Sequence, residues 1–169
     1  DKLDEKILKE FHESGAENVT KEDLKKFQPF HWVLEFASVY ADGGFDIVIG
    51  NPPWDTVKHS RDDYFPKFDE VFRTRDQSEK DRIQEELLED ETIAAGWEQH
   101  KEEMKTQATY YNNSSNYHLQ NPTVDGRGVA SENELSALFL ERVLKLTSDE
   151  SYVSQILPGI LFSGSIGKD

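Results

Sequence analysis

Within Gly43–Val57, GGFDIVIGNPPWDTV, a hydrophobic run ends on an asparagine, two prolines and a tryptophan. Those four residues, in that order, suit one piece of chemistry. An exocyclic amino group on a nucleobase is a poor nucleophile because its lone pair is delocalised into the ring. Two acceptors that hold both of its N–H bonds favour a pyramidal nitrogen and localise that lone pair. The side-chain carbonyl of Asn51 and the main-chain carbonyl of Pro52 can be those acceptors. Pro52 and Pro53 fix their own φ and restrict the residue before each, so the carbonyls are aimed before a substrate arrives. Preorganised polar groups of this kind lower a barrier with little rearrangement. Trp54 adds a flat face for stacking, worth about 1–3 kcal/mol per base. The transfer itself calls for no metal and no general base. The competing reading is a plain strand-ending turn, since Asn-Pro commonly starts one. From average residue usage, the four-residue pattern would arise on the order of once per thousand chains this long. Directly after a buried strand it is rarer.

The elements that must position these residues are legible on either side. Phe45 to Gly50 is a short apolar run with β-branched residues, bounded by Gly43-Gly44 and by Asn51-Pro52. It predicts a strand, 45–50, buried on both faces as in a parallel sheet. Near the other end YVSQILPGI predicts a second such strand, 152–157, stopped by Pro158-Gly159. A strand, helices and a strand again make a right-handed parallel crossover. The two strands lie about 100 residues apart, far more than a plain crossover unit needs. The excess is an insertion. The expected class is α/β, and ligands of such sheets bind beyond the carboxyl ends of the strands, where Asn51 stands.

Elsewhere the pattern is mainly helical. Leu3, Ile7, Leu8 and Phe11 share a helical face that Gly15 ends, and Thr20 with Asp23 forms a capping box for a short helix carrying Leu24 and Phe27. PFHWVLEFASVY fits either an extended segment or a turn followed by a short helix. Tyr64, Phe65, Phe68, Val71 and Phe72 predict an amphipathic helix, and Gln77 to Gln107 predicts one bent helix or two, with Gly96 a weak point. YYNNSSNYHLQNPTVDGRG reads as a loop. Ser131 and Glu134 form a second capping box, opening a helix with Leu135, Leu138, Phe139, Val143 and Leu146 on one face. The expected divisions are a helical lead-in over 1–44, strand plus catalytic loop over 45–54, a helical and loop insertion over 62–125, and a helix and strand over 131–169.

The 169 residues carry a formal charge of −15 and no cysteine. The missing cysteines exclude disulfides and thiolate metal sites. The charge argues against a broadly basic nucleic-acid surface, yet it is uneven. Asp76 to Thr106 holds 11 acidic and 4 basic residues, a net of −7, whereas Val57 to Arg75 holds 5 basic and 4 acidic, a net of +1. Lys58, Arg61, Arg73 and Arg75 are candidates for phosphate contacts, with solvated surface charge the equal alternative. His31 and Trp32 read as packing residues, because no His, Asp or Glu cluster surrounds them, and His59 reads as an exposed loop histidine. GILFSGSIGK fails the spacing of a phosphate loop. No run approaches a membrane span and no leader is evident. The sequence begins at Asp1 and reads as a piece of a longer, cytoplasmic polypeptide.

FDIVIGNPPW resembles motif IV of the S-adenosylmethionine-dependent amino-methyltransferases that act on adenine N6 in DNA. The similarity extends to FHWVLEFASVYADGGFDIVIGNPPW, to the later GRG followed by ALFLERVLKL, and to ILPGILFSG, in the order found in large bacterial modification methyltransferases. These serve restriction–modification and phage defence, and some fuse modification to cleavage. The resemblance implies a partial Rossmann-like methyltransferase fold with a long, mainly helical insertion. It further implies Asn51 and Pro52 as amino-group acceptors, Pro53 as part of the catalytic turn, and Trp54 stacking on an extruded adenine. The methyl donor would be S-adenosylmethionine and the partner double-stranded DNA, with partner subunits also possible. In the family a Gly-rich cofactor loop precedes this region, so no cofactor-binding residue is assigned and the segment alone is expected to be inactive. VASENE does not match the family's run after GRG, and no role is carried across there. Related motifs serve rRNA amino groups, cytosine N4 and protein glutamine amides. The contrasting class is a non-catalytic acidic interaction module.

Overall fold

The computed structural model describes residues 2–121, 133–159 and 161, with backbone only at 123–124 and 127–128. Two compact units emerge, one formed by Asp1–Val57 with Thr109–Asp169 and the other by Lys58–Ala108. Helices and a two-stranded parallel pair make the first unit a mixed α/β body.

In the first unit, α1 (Lys2–Glu13) is stopped by Gly15 at φ +92, the left-handed conformation that costs glycine nothing. Ala16 N–H bonds the Phe11 carbonyl and Gly15 N–H that of His12, which closes the helix end. Thr20 and Asp23 form both halves of the predicted capping box on α2 (Lys21–Phe27). The hydrogen bonds from Thr20 hold the Asp23 carboxyl below its usual range. The ambiguous aromatic stretch resolves into two short helices, α3 (Trp32–Glu35) and α4 (Ala37–Ala41). Trp32 stacks on Phe36 and meets Phe45 edge-on, a packing residue as expected, whereas His31 makes a polar contact, its Nε2 3.1 Å from Asp4 Oδ1.

β1 (Phe45–Gly50) has the predicted bounds and pairs in parallel with β4 (Thr147–Gln155). Gly44 makes this start possible. A Cβ there would sit 2.8–2.9 Å from the main chain of Leu146, Thr147 and Ser148. β4 departs from the predicted 152–157 at both ends. It begins earlier because Thr147 pairs with Phe45, after which an irregularity brings Ile47 opposite Tyr152. It ends at Gln155 because the ladder runs out of donors: Ile156 N–H reaches the Gly50 carbonyl at 3.0 Å, but Pro52 and Pro53 have no N–H to continue. The expectation that β1 is buried on both faces fails. Ile47 is 63% and Ile49 79% exposed, beside Tyr152 at 78%, because no described element covers that face. Val48 and Val153 occupy the half-buried side.

α8 (Leu135–Leu144) buries Leu138 and Val143, with Leu146 buried just beyond it, whereas Phe139 is 46% exposed. The position before it, Glu134, makes no side-chain cap bond, and Ser131 lies outside the described residues. The stretch read as a loop is largely structured. α7 runs from Glu91 to Asn113, a 3₁₀ segment follows over Ser115–Gln120, and β2 (Thr123–Val124) pairs antiparallel with β3 (Arg127–Gly128). Side-chain bonds sustain this where the turn-prone composition suggested none. Asn113 Nδ2 bonds the Thr109 carbonyl, and the buried Glu141 carboxylate accepts from Leu119 N–H and Gln120 Nε2.

The second unit has its own core of Tyr64, Phe65, Phe72 and Trp97, edged by Ile83, Leu87, Leu88 and Ile93. The helix predicted through Tyr64–Phe72 is instead α5 (Arg61–Tyr64) and two 3₁₀ turns, Phe65–Lys67 and Phe72–Thr74. Pro66 lacks the N–H that a continuing helix needs, and Phe68 and Val71 end up exposed. Gln77–Gln107 is two helices, α6 (Gln77–Leu88) and α7, and the break falls at Asp90, not Gly96. The Asp90 carboxylate accepts from Thr92 and Ile93 N–H, starting the second helix.

Gly96 has a packing reason. Its missing Cβ would stand 2.3 Å from the Tyr64 hydroxyl, which bonds the Ile93 carbonyl at 2.8 Å. Gly96→Ala is therefore expected to cost about 1–3 kcal/mol from overpacking, more than the ~1 kcal/mol alanine gains in a helix. In a Tyr64→Phe background the clash disappears and the same change becomes neutral or stabilising. Denaturant melts of the four variants check this reversal.

Candidate functional site

The NPPW turn leaves β1 and is held on both sides by main-chain bonds. Ahead of it, β1 is paired with β4 through Gly50. Behind it, Leu135 N–H bonds the Asp55 carbonyl and Val57 N–H the Asn133 carbonyl, each at 2.8 Å, with an antiparallel bridge between Thr56 and Glu134. Asn133 is itself buried and its Nδ2 donates to Asn112 Oδ1 at 2.8 Å. A turn fixed at both exits has little freedom left between them.

Within the turn, Pro52 is buried and Asn51, Pro53 and Trp54 are exposed. Asn51 lies just past the carboxyl end of β1, and among the described residues its carboxamide makes no hydrogen bond. Trp54 keeps 54% of its surface open while its indole N–H donates to the Ile156 carbonyl at 3.2 Å. That bond joins two resemblance blocks 102 residues apart, NPPW and ILPG. The main-chain groups of Ile156 and Asn133 were invisible to sequence reasoning, because any residue type could provide them. For the GRG block, side chains lie outside the described residues.

The candidate phosphate-binding arginines are already engaged. Arg61 pairs with Asp81, Arg73 with Asp63 and the Asp62 carbonyl, and Arg75 with Asp69 at 2.6 Å. The Arg75 guanidinium holds the Asp69 carboxyl below its ordinary range and is itself raised. These cations are tied within their own unit. His59 is exposed as expected and meets the Trp97 ring edge-on at 6.1 Å.

The described residues do not fit S-adenosylmethionine by themselves. The Gly43-Gly44 pair, the one that precedes a described strand, serves strand approach, with Gly44 buried against the start of β4. No group of three or more His, Asp or Glu residues suited to a metal ion occurs among the described residues. No helix among them is long and apolar enough to cross a membrane.

Comparison with known proteins shows what the chain is similar to. Residues 1–84, which include β1 and the whole NPPW turn, match the Eco57I restriction-modification methylase model. Over 60 residues the chain is 35% identical to a protein of Methanocaldococcus jannaschii named as a type II restriction enzyme and methyltransferase. That alignment covers 36% of this chain and 5% of the relative. No solved structure matches the chain. Through its first 84 residues, just under half of its length, the chain is similar to the Eco57I restriction-modification methylases.

Proposed function

We propose that the chain carries the amino-group acceptor half of a DNA adenine-N6 methyltransferase, part of a larger restriction–modification or phage-defence protein. One observation carries this reading: Asn51 stands exposed at the carboxyl end of β1, its carboxamide without a hydrogen bond among the described residues, and the exposed Trp54 ring follows three residues on. A carboxamide without a protein partner is ready to accept from a substrate N–H.

In this reading the Asn51 side-chain oxygen and the Pro52 carbonyl receive the two amino hydrogens of the target base. The nitrogen lone pair leaves conjugation with the ring and becomes available as the nucleophile. S-adenosylmethionine would supply the electrophilic methyl group, its C–S bond breaking as the N–C bond forms, with S-adenosylhomocysteine leaving and one amino proton passing to water. Duplex DNA hides the amino group, so the base must be extruded, and Trp54 receives it by stacking. Pro52, buried under the turn, keeps its carbonyl fixed. Nuclease activity fused to the same chain is compatible with the name of the relative.

The test uses the full-length protein and a duplex with 2-aminopurine at the target position. Trp54→Ala is expected to weaken capture of the extruded base by roughly 10- to 100-fold, from lost stacking of about 1–3 kcal/mol. The readout is the fluorescence rise on binding. An unchanged signal refutes the role of Trp54. Mass spectrometry of methylated nucleosides separates adenine N6 from cytosine N4, and methylation of RNA or a glutamine peptide instead of DNA would reassign the substrate.

A further inference from the structure

We infer that the main-chain carbonyl of Ile156 is the positioning group for the Trp54 ring, making the end of β4 part of the base-capture apparatus. The inference rests on the reading of Trp54 as the stacking face. Ile156 is bonded in both directions: its N–H donates to the Gly50 carbonyl at 3.0 Å, and its carbonyl accepts from Trp54 Nε1 at 3.2 Å. Gly50 immediately precedes Asn51, and Trp54 closes the motif. A single residue just past the end of β4 therefore ties the residue before the NPPW turn to the turn's last position.

The chemistry explains why the ring is an indole. An exposed aromatic side chain samples several χ1 and χ2 wells, and stacking requires one of them. The indole N–H is a donor on the edge of the five-membered ring, so engaging it fixes the ring plane and leaves the face open. The 54% exposure of Trp54 fits an engaged edge with a free face. Phenylalanine has no donor, and the tyrosine hydroxyl projects from the far end of its ring, in another direction. Ile156 is in turn held close to its place, because Pro158 follows two residues later and its carbonyl accepts from Leu161 N–H at 3.1 Å. The ring is thus oriented before the base arrives, and the ordering cost is not met again on capture.

The experiment places the benzothienyl analogue of tryptophan at position 54 of the full-length enzyme, which keeps the fused ring and replaces N–H by sulfur. Trp54→Phe and Trp54→Ala are run beside it. The analogue is expected to raise KM for the target duplex about 3- to 10-fold, the loss of one net hydrogen bond. Cofactor affinity and Tm stay at wild-type values, and Trp54→Phe shows a rise in KM at least as large. A wild-type KM for the analogue, with capture lost in Trp54→Ala, overturns the positioning role while leaving stacking intact. Normal capture by Trp54→Ala overturns the underlying reading as well. A raised KM that appears only with a lowered Tm assigns the bond to strand-end packing and overturns the inference.

Discussion

Asn51→Ala in the full-length protein is expected to reduce methyl transfer by about 100-fold or more while leaving the fold unchanged. Removing one preorganised polar group from a developing charge typically costs 10²–10³ in kcat, about 2.7–4 kcal/mol. On the proposed mechanism only the Pro52 carbonyl would be left, so one amino N–H would lose its acceptor and the lone pair would stay conjugated. Stability is a separate matter. Asn51 is exposed, and its carboxamide makes no hydrogen bond among the described residues, so truncation should change stability by less than about 0.5 kcal/mol. Transfer of labelled methyl groups to target duplex, alongside a thermal melt, measures both. Loss of activity together with a large drop in Tm would indicate a structural asparagine and remove the basis for the mechanism.

The second large effect belongs to the inserted unit. Phe65→Ala should destabilise Lys58–Ala108 by about 3–5 kcal/mol, the usual cost of deleting a buried phenylalanine. Phe65 and Phe72 are both 0% exposed and lie 5.3 Å apart, with Trp97 at 5.0 Å from Phe65. So small a core has little stability in reserve. Amide exchange over α6 should speed accordingly. Phe68→Ala is the control. Phe68 is 45% exposed, so its loss should cost well under half as much. Equal effects would mean that Phe68 is packed as the helical pattern suggested.

That contrast shows where the sequence was readable. β1 emerged with its observed limits because a β-branched run sat between Gly43-Gly44 and Asn51-Pro52, and both boundaries are local chemistry. The Thr20–Asp23 box and the Gly15 stop were legible for the same reason. Phe65 and Phe68 are equivalent by helical spacing, and what separates them is Pro66 between them, whose missing N–H ends the helix. The open side of β1 was missed because an apolar run records what a strand can tolerate, not what covers it. The site divides likewise. Asn51, Pro52, Pro53 and Trp54 are named by side-chain type, whereas the carbonyls of Ile156, Asn133 and Asp55 that fix the turn carry no signature in the letters.

Asn133 has a wider consequence. Its main-chain oxygen takes the Val57 N–H, and its side chain donates to Asn112. Val57 is the last residue before the acidic unit and Asn112 lies just after the chain comes back from it. Departure and return are therefore stapled to a single anchor, a gateway through which the intervening polypeptide enters and exits. Because closing a longer or shorter excursion changes the free energy only slowly with length, a change in the length of that excursion should cost little at the Asn133 anchor.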